Sequence, residues 1–225
     1  MSLDGFMSLC IEVEVMRINK RLIAIMGLSI LATLMVYPSL PEQVAIHWDL
    51  QGQVDRMGPK SMVFLLAVLP LGLYALLWFS PKIDPRGHAY KKFTKAYQRF
   101  MDVVLLFLVL VHWLTIAWSM GIELPIDQVV KVGLSILFLV MGNYLGQVRM
   151  NYTFGIKTPW TLASESVWTK THRVSSYAFV LGGLLMLVST FIYGRWGMIS
   201  FFISLFLPII FSMCVSYLFY VKEQS

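Results

Sequence analysis

The stretch SMVFLLAVLPLGLYALLWFS, residues 61–80, contains no charged side chain in 20 consecutive positions. A helix of about 20 apolar residues crosses the roughly 30 Å hydrocarbon core of a lipid bilayer. Within that core only helices and closed barrels satisfy their backbone hydrogen bonds. This stretch therefore predicts a transmembrane helix.

Five further apolar runs of similar length accompany it along the chain. The six predicted spans lie at residues 22–40, 61–80, 101–120, 129–148, 174–193 and 197–221. The composition agrees, with 58% hydrophobic residues, 13% charged residues and a mean hydropathy of +0.71. These values exclude a soluble globular protein and predict an all-α fold, a six-span transmembrane helix bundle that resides in the lipid bilayer.

The positive charges divide unequally between alternate loops. With the N-terminus inside, the outer segments hold only Arg56, Lys60, Lys131 and Arg195, which leaves 14 of the 18 Lys and Arg residues on the inner side. Short loops rich in Lys and Arg remain cytoplasmic, so both termini are predicted to be cytoplasmic. The net charge of +6 follows from this bias and requires no direct contact with nucleic acid.

We expect neither of the two cysteines to form a disulfide. Cys10 lies in the N-terminal tail and Cys214 in the last predicted span, so both would face the cytoplasm or the membrane. The first span ends in Tyr37-Pro38-Ser39-Leu40-Pro41, which lacks the small-residue pattern of a signal-peptide cleavage site. We therefore expect an uncleaved span, and residues 1–15 are assigned no function.

Both long inner loops predict short interfacial helices. In the first, Tyr90, Phe93, Tyr97 and Phe100 recur at helical spacing among lysines, which indicates an amphipathic helix leading into the third span. The second, residues 149–173, is the densest polar stretch of the chain. Two features there predict a short helix with tryptophans at the headgroup level: Thr158 as an N-cap followed by Pro159, and the aromatic pair Trp160 and Trp168.

The outer loop, residues 41–60, is long and polar for a connection between adjacent spans. His47, Asp49 and Asp55 are potential metal ligands, but their spacing matches no zinc template. We expect these side chains to pair with one another and stay hydrated, and we predict no metal or other cofactor. Together with Gly52 they form the candidate outer contact surface.

Two polar residues within the spans admit alternative interpretations. Asn143 in the fourth span either bonds to a neighbouring helix or belongs to a polar site facing the inner loop. His112 in the third span either forms a neutral hydrogen bond across the bundle or handles protons or a ligand. No arrangement of side chains indicates catalysis, because Glu165 and His172 are roughly 10 Å apart along a helix. We therefore predict no enzyme and no catalytic residue.

A block of the inner loop carries a resemblance to a known family. The block comprises Gly142-Asn143-Tyr144, Asn151-Tyr152, Phe154-Gly155-Ile156-Lys157-Thr158-Pro159-Trp160-Thr161, Val167-Trp168 and Thr171-His172-Arg173. It resembles the SdpI family, whose type member is the immunity protein against a sporulation-delaying toxin. The outer segment with Leu40-Pro41-Glu42, His47-Trp48, Gly52, Asp55, Gly58 and Lys60 resembles the small domain of unknown function that often precedes this block. Lys157 departs from the arginine expected in the family pattern.

The resemblance implies a bacterial plasma-membrane protein that protects its cell from a secreted peptide toxin. It further implies signalling, in which the toxin-engaged protein captures a cytoplasmic transcriptional repressor. The candidate partner- or ligand-binding residues of the inner side are Asn143, Asn151, Lys157, Thr158, Pro159, Trp160, Thr161, Trp168 and His172. The competing interpretation of the loop is a structural one, in which it only seats a helix at the membrane surface.

The predicted organisation has three parts: an N-terminal tail at residues 1–21, a two-span region with the polar outer loop at 22–100, and a four-span SdpI-like region at 101–225. A small transporter or channel-like protein is the alternative function. It would use His112, Asn143 and the polar groups of the inner loop.

Overall fold

The computed structural model describes residues 18–49 and 51–225, and the predictions for residues 1–15, with Cys10, lie outside this part of the chain. The elements in chain order are α1 (Lys20–Val36), a 3₁₀ turn (Tyr37–Ser39), β1 (Gln43–Trp48), β2 (Val54–Pro59), α2 (Met62–Ile83), a 3₁₀ segment (Gly87–Lys92), α3 (Thr94–Ser119), α4 (Ile126–Leu145), α5 (Pro159–Ala163), α6 (Glu165–Ser189) and α7 (Arg195–Gln224).

Six of these helices are long and apolar enough to cross a membrane: α1 with its 3₁₀ turn, α2, α3, α4, α6 and α7. The predicted six-span helical bundle is therefore confirmed. The proposed division at residue 100 stays a prediction, and α3 runs continuously through that position. Cys214 is a free, exposed cysteine on α7.

Two helices extend well beyond their predicted spans on the side of the basic loops. α3 begins at Thr94 and α6 at Glu165, so residues 165–173 belong to a membrane-spanning helix, although we expected a short helix of the inner loop there. The Ser164 side chain caps α6 by accepting a hydrogen bond from the Val167 backbone N–H. Hydropathy identifies only the apolar part of a helix, and these first turns are polar.

The connections gather at opposite ends of the bundle. We call one the hairpin end, formed by residues 41–60, 120–125 and 190–194, and the other the basic end, formed by residues 81–93, 146–164 and 222–225. At the hairpin end, a Cβ at Gly52 would lie 3.1 Å from Cβ of Asp127. At the basic end, the Asp84 carboxylate accepts the backbone N–H of Tyr152 at 2.9 Å. Successive connections between spans therefore alternate between the two ends of the bundle, as six membrane crossings require.

The outer loop folds as an antiparallel β-hairpin, which we did not predict. β1 pairs with β2 in a register that sets Val44 opposite Gly58, with an irregularity on either side of His47. Val44 is fully buried and belongs to a small apolar cluster with Ile116 of α3. The hairpin is therefore seated on the bundle. Lys60 closes it by donating to Glu42 at 2.8 Å, and this bond raises the pKa of Lys60.

The helices α4, α6 and α7 approach one another through small residues. A Cβ at Gly142 would lie 2.6 Å from the backbone nitrogen of Val180, so α4 and α6 touch backbone to backbone. A Cβ at Gly182 would lie 2.5 Å from the Pro208 ring, where α6 meets α7. In lipid, close packing between small residues replaces the hydrophobic effect as a source of helix association.

The aromatic residues of the first basic loop are buried within the protein, while the interfacial position of this segment stays a prediction. Tyr90, Phe93 and Tyr97 are buried, and the Tyr97 ring packs edge-on against Phe154 at 5.2 Å. The segment Gly87–Lys92 is a 3₁₀ helix, and its Tyr90 faces the second basic loop, where the hydroxyl donates to Asn151.

Candidate functional site

The loop between α4 and α6 is tied across the basic end by one carboxylate. Oδ2 of Asp84 accepts the backbone N–H groups of Tyr152 at 2.9 Å and Thr153 at 3.1 Å, and the Thr153 hydroxyl at 3.2 Å. Oδ1 accepts the backbone N–H of Arg86 at 2.8 Å. Asp84 is 6% exposed, so these charge-assisted bonds form away from water. They join two loops that are 68 positions apart in the chain.

Asn151 organises the turn from within. Its Oδ1 accepts the backbone N–H groups of Thr153 at 3.0 Å and Phe154 at 2.7 Å. Its Nδ2 donates to the carbonyl oxygens of Arg149 and Phe154. The side chain is fully buried, and both its donors and its acceptor are satisfied. Asn151 therefore acts as a structural centre of the loop.

Tyr90 completes this network from the first basic loop. Its hydroxyl lies 3.1 Å from Oδ1 of Asn151, 3.5 Å from Oδ2 of Asp84, and within hydrogen-bonding distance of the Thr153 hydroxyl. Burial raises the pKa of Tyr90. The phenol is therefore kept protonated, as a hydrogen-bond donor requires.

His172 and Trp168 of α6 form the floor beneath the loop. Nε2 of His172 accepts the backbone N–H of Ile156 at 3.0 Å, and Nδ1 donates to the carbonyl oxygen of Trp168 at 2.9 Å. A backbone N–H only donates, so this geometry requires a neutral imidazole with its proton on Nδ1. The two rings stack at 4.1 Å, and Trp168 Nε1 donates to the carbonyl oxygen of Val148.

Gly155 allows the chain to pass directly over this floor. Its φ of +114° is disfavoured for residues with a side chain. A Cβ there would lie 2.6 Å from Nε2 of His172.

The short helix α5 confirms the predicted start at Thr158 and Pro159. The Thr158 side chain accepts from the Thr161 backbone N–H, and the Thr161 side chain accepts from the Thr158 backbone N–H, which is a capping box. The Thr158 hydroxyl also donates to Ser216 of α7 at 3.0 Å. Trp160 packs its ring against Tyr217 at 5.1 Å.

Burial separates the predicted inner-loop residues into two groups. Asn151, Thr161, Trp168 and His172 are fully buried, and Thr158 is 6% exposed. The tryptophan predicted at the headgroup level, Trp168, therefore lies in the interior. The surface group comprises Lys157, Pro159 and the half-buried Trp160. Lys157 is held by donating to the carbonyl oxygen of Thr153 at 3.0 Å.

The two polar residues within the spans behave differently. Asn143 is exposed on α4 and has no hydrogen bond to a neighbouring helix within the described residues, so its predicted role in helix association is wrong. Nε2 of His112 pairs with the Thr33 hydroxyl of α1 at 2.8 Å, which confirms a bond across the bundle. His112 lies about 27 Å along α3 from Thr94. His112 and the loop therefore form no common site.

The predicted outer residues form the tip and side of the hairpin. Nδ1 of His47 pairs with Oδ1 of Asp55 at 2.6 Å, as expected for hydrated side chains. Asp49 accepts the backbone N–H groups of Gln51 and Gln53 and so shapes the turn, while Gly52 at φ +77° packs against α4. No cluster of three or more His, Cys, Asp or Glu side chains suited to a metal ion occurs in the described part of the chain.

A polar cavity of about 300 Å³ lies beside this tip at the hairpin end. Gln51 contributes from the hairpin, Asp127 and Lys131 from α4, and Arg195 and Met198 from α7. Lys131 and Asp127 form an ion pair at 3.2 Å. The hairpin thus completes a cavity together with residues far from it in sequence.

Sequence reasoning missed Asp84, the central residue of the basic end. A signal was present, because Asp84 is the one carboxylate in the otherwise basic segment 81–100. A single acidic residue in a basic segment indicates that hydrogen-bond donors surround its carboxylate in the fold. Which donors those are depends on the second loop, which no local pattern identifies.

The fold and this arrangement define a multi-pass helical membrane protein with a structured loop at one end and a hairpin at the other. Residues 147–216 match the model of the SdpI/YfhL protein family, and residues 24–71 match a domain of unknown function, DUF1648. These matches confirm the resemblance to the SdpI family found in the sequence.

A relative is the immunity protein SdpI of Bacillus subtilis strain 168, which is 26% identical over 207 residues, 92% of this chain and 98% of the relative. The chain is thus a multi-pass protein of a bacterial membrane. No solved structure shows significant similarity to it.

Proposed function

We propose that this chain is an immunity protein that protects a bacterial membrane against a secreted antimicrobial peptide. The main support is the extent of the similarity to the immunity protein SdpI. The matched region includes 92% of this chain and 98% of the relative. Both the hairpin and the loop at the basic end lie within so long a match. The proposed role involves no chemical reaction.

The geometry of the hairpin end supports this role. The predicted orientation exposes this end to the outside, where a secreted peptide would arrive first. The cavity there combines cationic Lys131 and Arg195 with the amide of Gln51 and the carboxylate of Asp127. Such a mixture of donors and acceptors suits the backbone and polar side chains of a peptide. We therefore place toxin contact at the hairpin tip and this cavity.

Expression in toxin-sensitive cells tests the proposal. Cells that carry the protein in their membrane should survive the peptide and keep their membrane potential, while cells with the empty vector should depolarise. Survival and potential are both normalised to the amount of protein in the membrane. Full sensitivity to every peptide of the cognate class, despite normal abundance, would contradict the proposal.

A pair of glycine variants locates the contact. In Gly52→Ala the new Cβ lies 3.1 Å from Asp127, so the hairpin tip must move away from the cavity. Gly121→Ala carries a similar backbone strain at φ +82° but meets no atom within 4 Å. We expect protection per molecule to fall for Gly52→Ala and to persist for Gly121→Ala. Equal protection by the two variants would remove the hairpin tip from the contact.

A second role, capture of a cytoplasmic transcriptional repressor, is supported by the exposed rim of the basic end. Tyr152 is 46% exposed on a loop that Asp84 and Asn151 hold rigid. Lys157 and Trp160 lie on the same loop. Aromatic side chains on a rigid support bind partners without a large loss of entropy. Among the residues predicted to contact the repressor, Lys157 and Trp160 support this proposal because they have exposed surface.

Recruitment of the repressor, normalised to membrane abundance, distinguishes contact from support. Trp160→Ala and Tyr152→Ala should lower normalised recruitment, because each removes exposed aromatic surface. Trp168→Ala is the matched control, since this side chain is buried and its loss should lower abundance instead. Unchanged normalised recruitment in both surface variants would make the loop purely structural.

A further inference from the structure

A second cavity, at the basic end, is lined by charged side chains from three parts of the chain. It measures about 320 Å³. Arg86, His88 and Lys92 contribute from the first basic loop, Arg149 from the second, and Glu165 from the start of α6. The cavity therefore exists only because the two loops fold against each other.

The charges of this cavity are unbalanced. Arg86, Lys92 and Arg149 supply three positive charges against the single carboxylate of Glu165. In the described residues none of these three cations forms an ion pair with a carboxylate. Cations gathered without counter-charges repel one another, and a bound anion relieves that repulsion.

The walls of the cavity are held in place by the hydrogen-bond network. The Arg86 backbone N–H donates to Asp84, and the Arg149 carbonyl oxygen accepts from Asn151. The Arg86 guanidinium also lies 5.8 Å from the centre of the Tyr152 ring. The two arginines are thus presented from anchored backbone, which lowers the cost of ordering them around a ligand.

The cavity lies where helices leave the hydrocarbon. α2 ends at Ile83, which is 60% exposed and directly precedes the loop that bears Arg86. Lys82 lies 3.3 Å over the Trp78 ring, a pairing typical of the headgroup region. Apolar surface for acyl chains therefore lies three residues before the cationic Arg86 in the chain.

We infer that this cavity binds the phosphate group of an anionic phospholipid. Arginine offers paired N–H donors that match phosphate oxygens, and Lys92 adds a point charge. Basic cavities between membrane helices bind such headgroups in general. The headgroup would bridge the two basic loops and so hold the loop at the basic end closed. This role is independent of toxin immunity.

Retention of phosphatidylglycerol by the full-length protein tests the inference. The protein is reconstituted in phosphatidylcholine bilayers that contain a minor fraction of phosphatidylglycerol, extracted in mild detergent and examined by native mass spectrometry. The wild-type protein should retain phosphatidylglycerol. The double variant Lys92→Gln/Arg149→Gln should retain on the order of tenfold less, because two phosphate contacts are lost.

The double variant Lys91→Gln/Lys170→Gln is the matched control. Both of its lysines are exposed at the same end but do not line the cavity, so retention should stay at the wild-type level. An equal loss in both double variants would overturn the inference in favour of diffuse surface charge. Displacement of phosphatidylglycerol by millimolar inorganic phosphate would overturn it in favour of a soluble anion.

Glu165→Gln provides a test that does not depend on removing a cation. It deletes the one negative charge of the cavity, so retention of phosphatidylglycerol should rise. Unchanged or lower retention in this variant would contradict a site at this place, even if the double variant of the cavity failed to fold.

Discussion

The two ends of this bundle use polar side chains in opposite ways. At the basic end, Asp84, Asn151 and His172 are buried and bond to backbone groups of the loop. At the hairpin end, His47 and Asp55 pair with side chains 61% and 46% exposed, beside an open cavity.

The difference indicates where stability and recognition are located. A buried polar group left without its partner costs far more free energy than a lost pair in water. We therefore expect substitutions inside the basic end to lower the free energy of unfolding, and substitutions at the hairpin to leave it nearly unchanged.

The largest effect is expected for Asp84→Ala. This change leaves the part-buried backbone N–H groups of Tyr152 and Arg86 without their acceptor, and leaves that of Thr153 only the Asn151 side chain. The free energy of unfolding should fall by roughly 3 kcal/mol, measured by denaturation in detergent. Asp84→Asn retains one acceptor oxygen and should lose less. A loss below that of a surface substitution would show that water replaces the carboxylate.

Gly155→Ala should have the next largest effect. Its Cβ would lie 2.6 Å from Nε2 of His172, and the φ of +114° strains any side chain. We expect a loss of about 2 kcal/mol in the free energy of unfolding. Gly194→Ala is the control, because its φ of +74° is also strained but no atom lies within 4 Å. Equal losses in both variants would indicate that the loop moves freely above His172.

Tyr90→Phe should cost about 1 kcal/mol, since it removes one hydroxyl from the network of Asp84 and Asn151. Unfolding measured against pH gives a second readout. Burial raises the pKa of Tyr90, so the folded protein favours the protonated phenol. This contribution is complete below the unfolded value near pH 10 and is lost as the pH rises further. Stability should therefore decline less steeply above about pH 10 in Tyr90→Phe; identical slopes would place Tyr90 in contact with water.

The smallest effect is expected for Asp55→Ala. Its pair with His47 is exposed, and such pairs contribute below about 0.5 kcal/mol. The midpoint of thermal unfolding should remain close to the wild-type value. A loss comparable to that of Tyr90→Phe would mean that the hairpin is as strongly coupled to the bundle as the loop at the basic end, and the contrast between the two ends would disappear.

The parts of the fold that were predictable are those encoded locally. Six runs of apolar residues identify six spans, and Thr158 followed by Pro159 identifies the start of α5. Even here, the start of α6 at Glu165 was not predicted, because the first turns of this helix are polar and carry no hydropathy signal. The hairpin was missed because the loop was interpreted by its polarity, although Val44-Ala45-Ile46 within it suits a buried strand.

The candidate site was predictable in its location but not in its roles. The block at residues 142–173 was identified, and its resemblance to the SdpI family is confirmed. Yet Trp168 and His172, expected as contacts for a partner, lie buried under the loop, while Asn143, expected between helices, is exposed. Asp84 was absent from the prediction because three of its donor groups, on Tyr152 and Thr153, come from a segment at least 68 positions away.

By itself the sequence determined the number of spans, the basic character of one end, the cap of α5 and the family resemblance. Each of these depends on neighbouring residues or on composition. Only the tertiary structure decided which polar groups are inside, because lipid solvates every apolar face of a helix equally and the rotation of a span is set by its packing. Gly142, Gly182 and Gly183 lie at the close contacts among α4, α6 and α7, and His172 is fully buried on α6 in this packing.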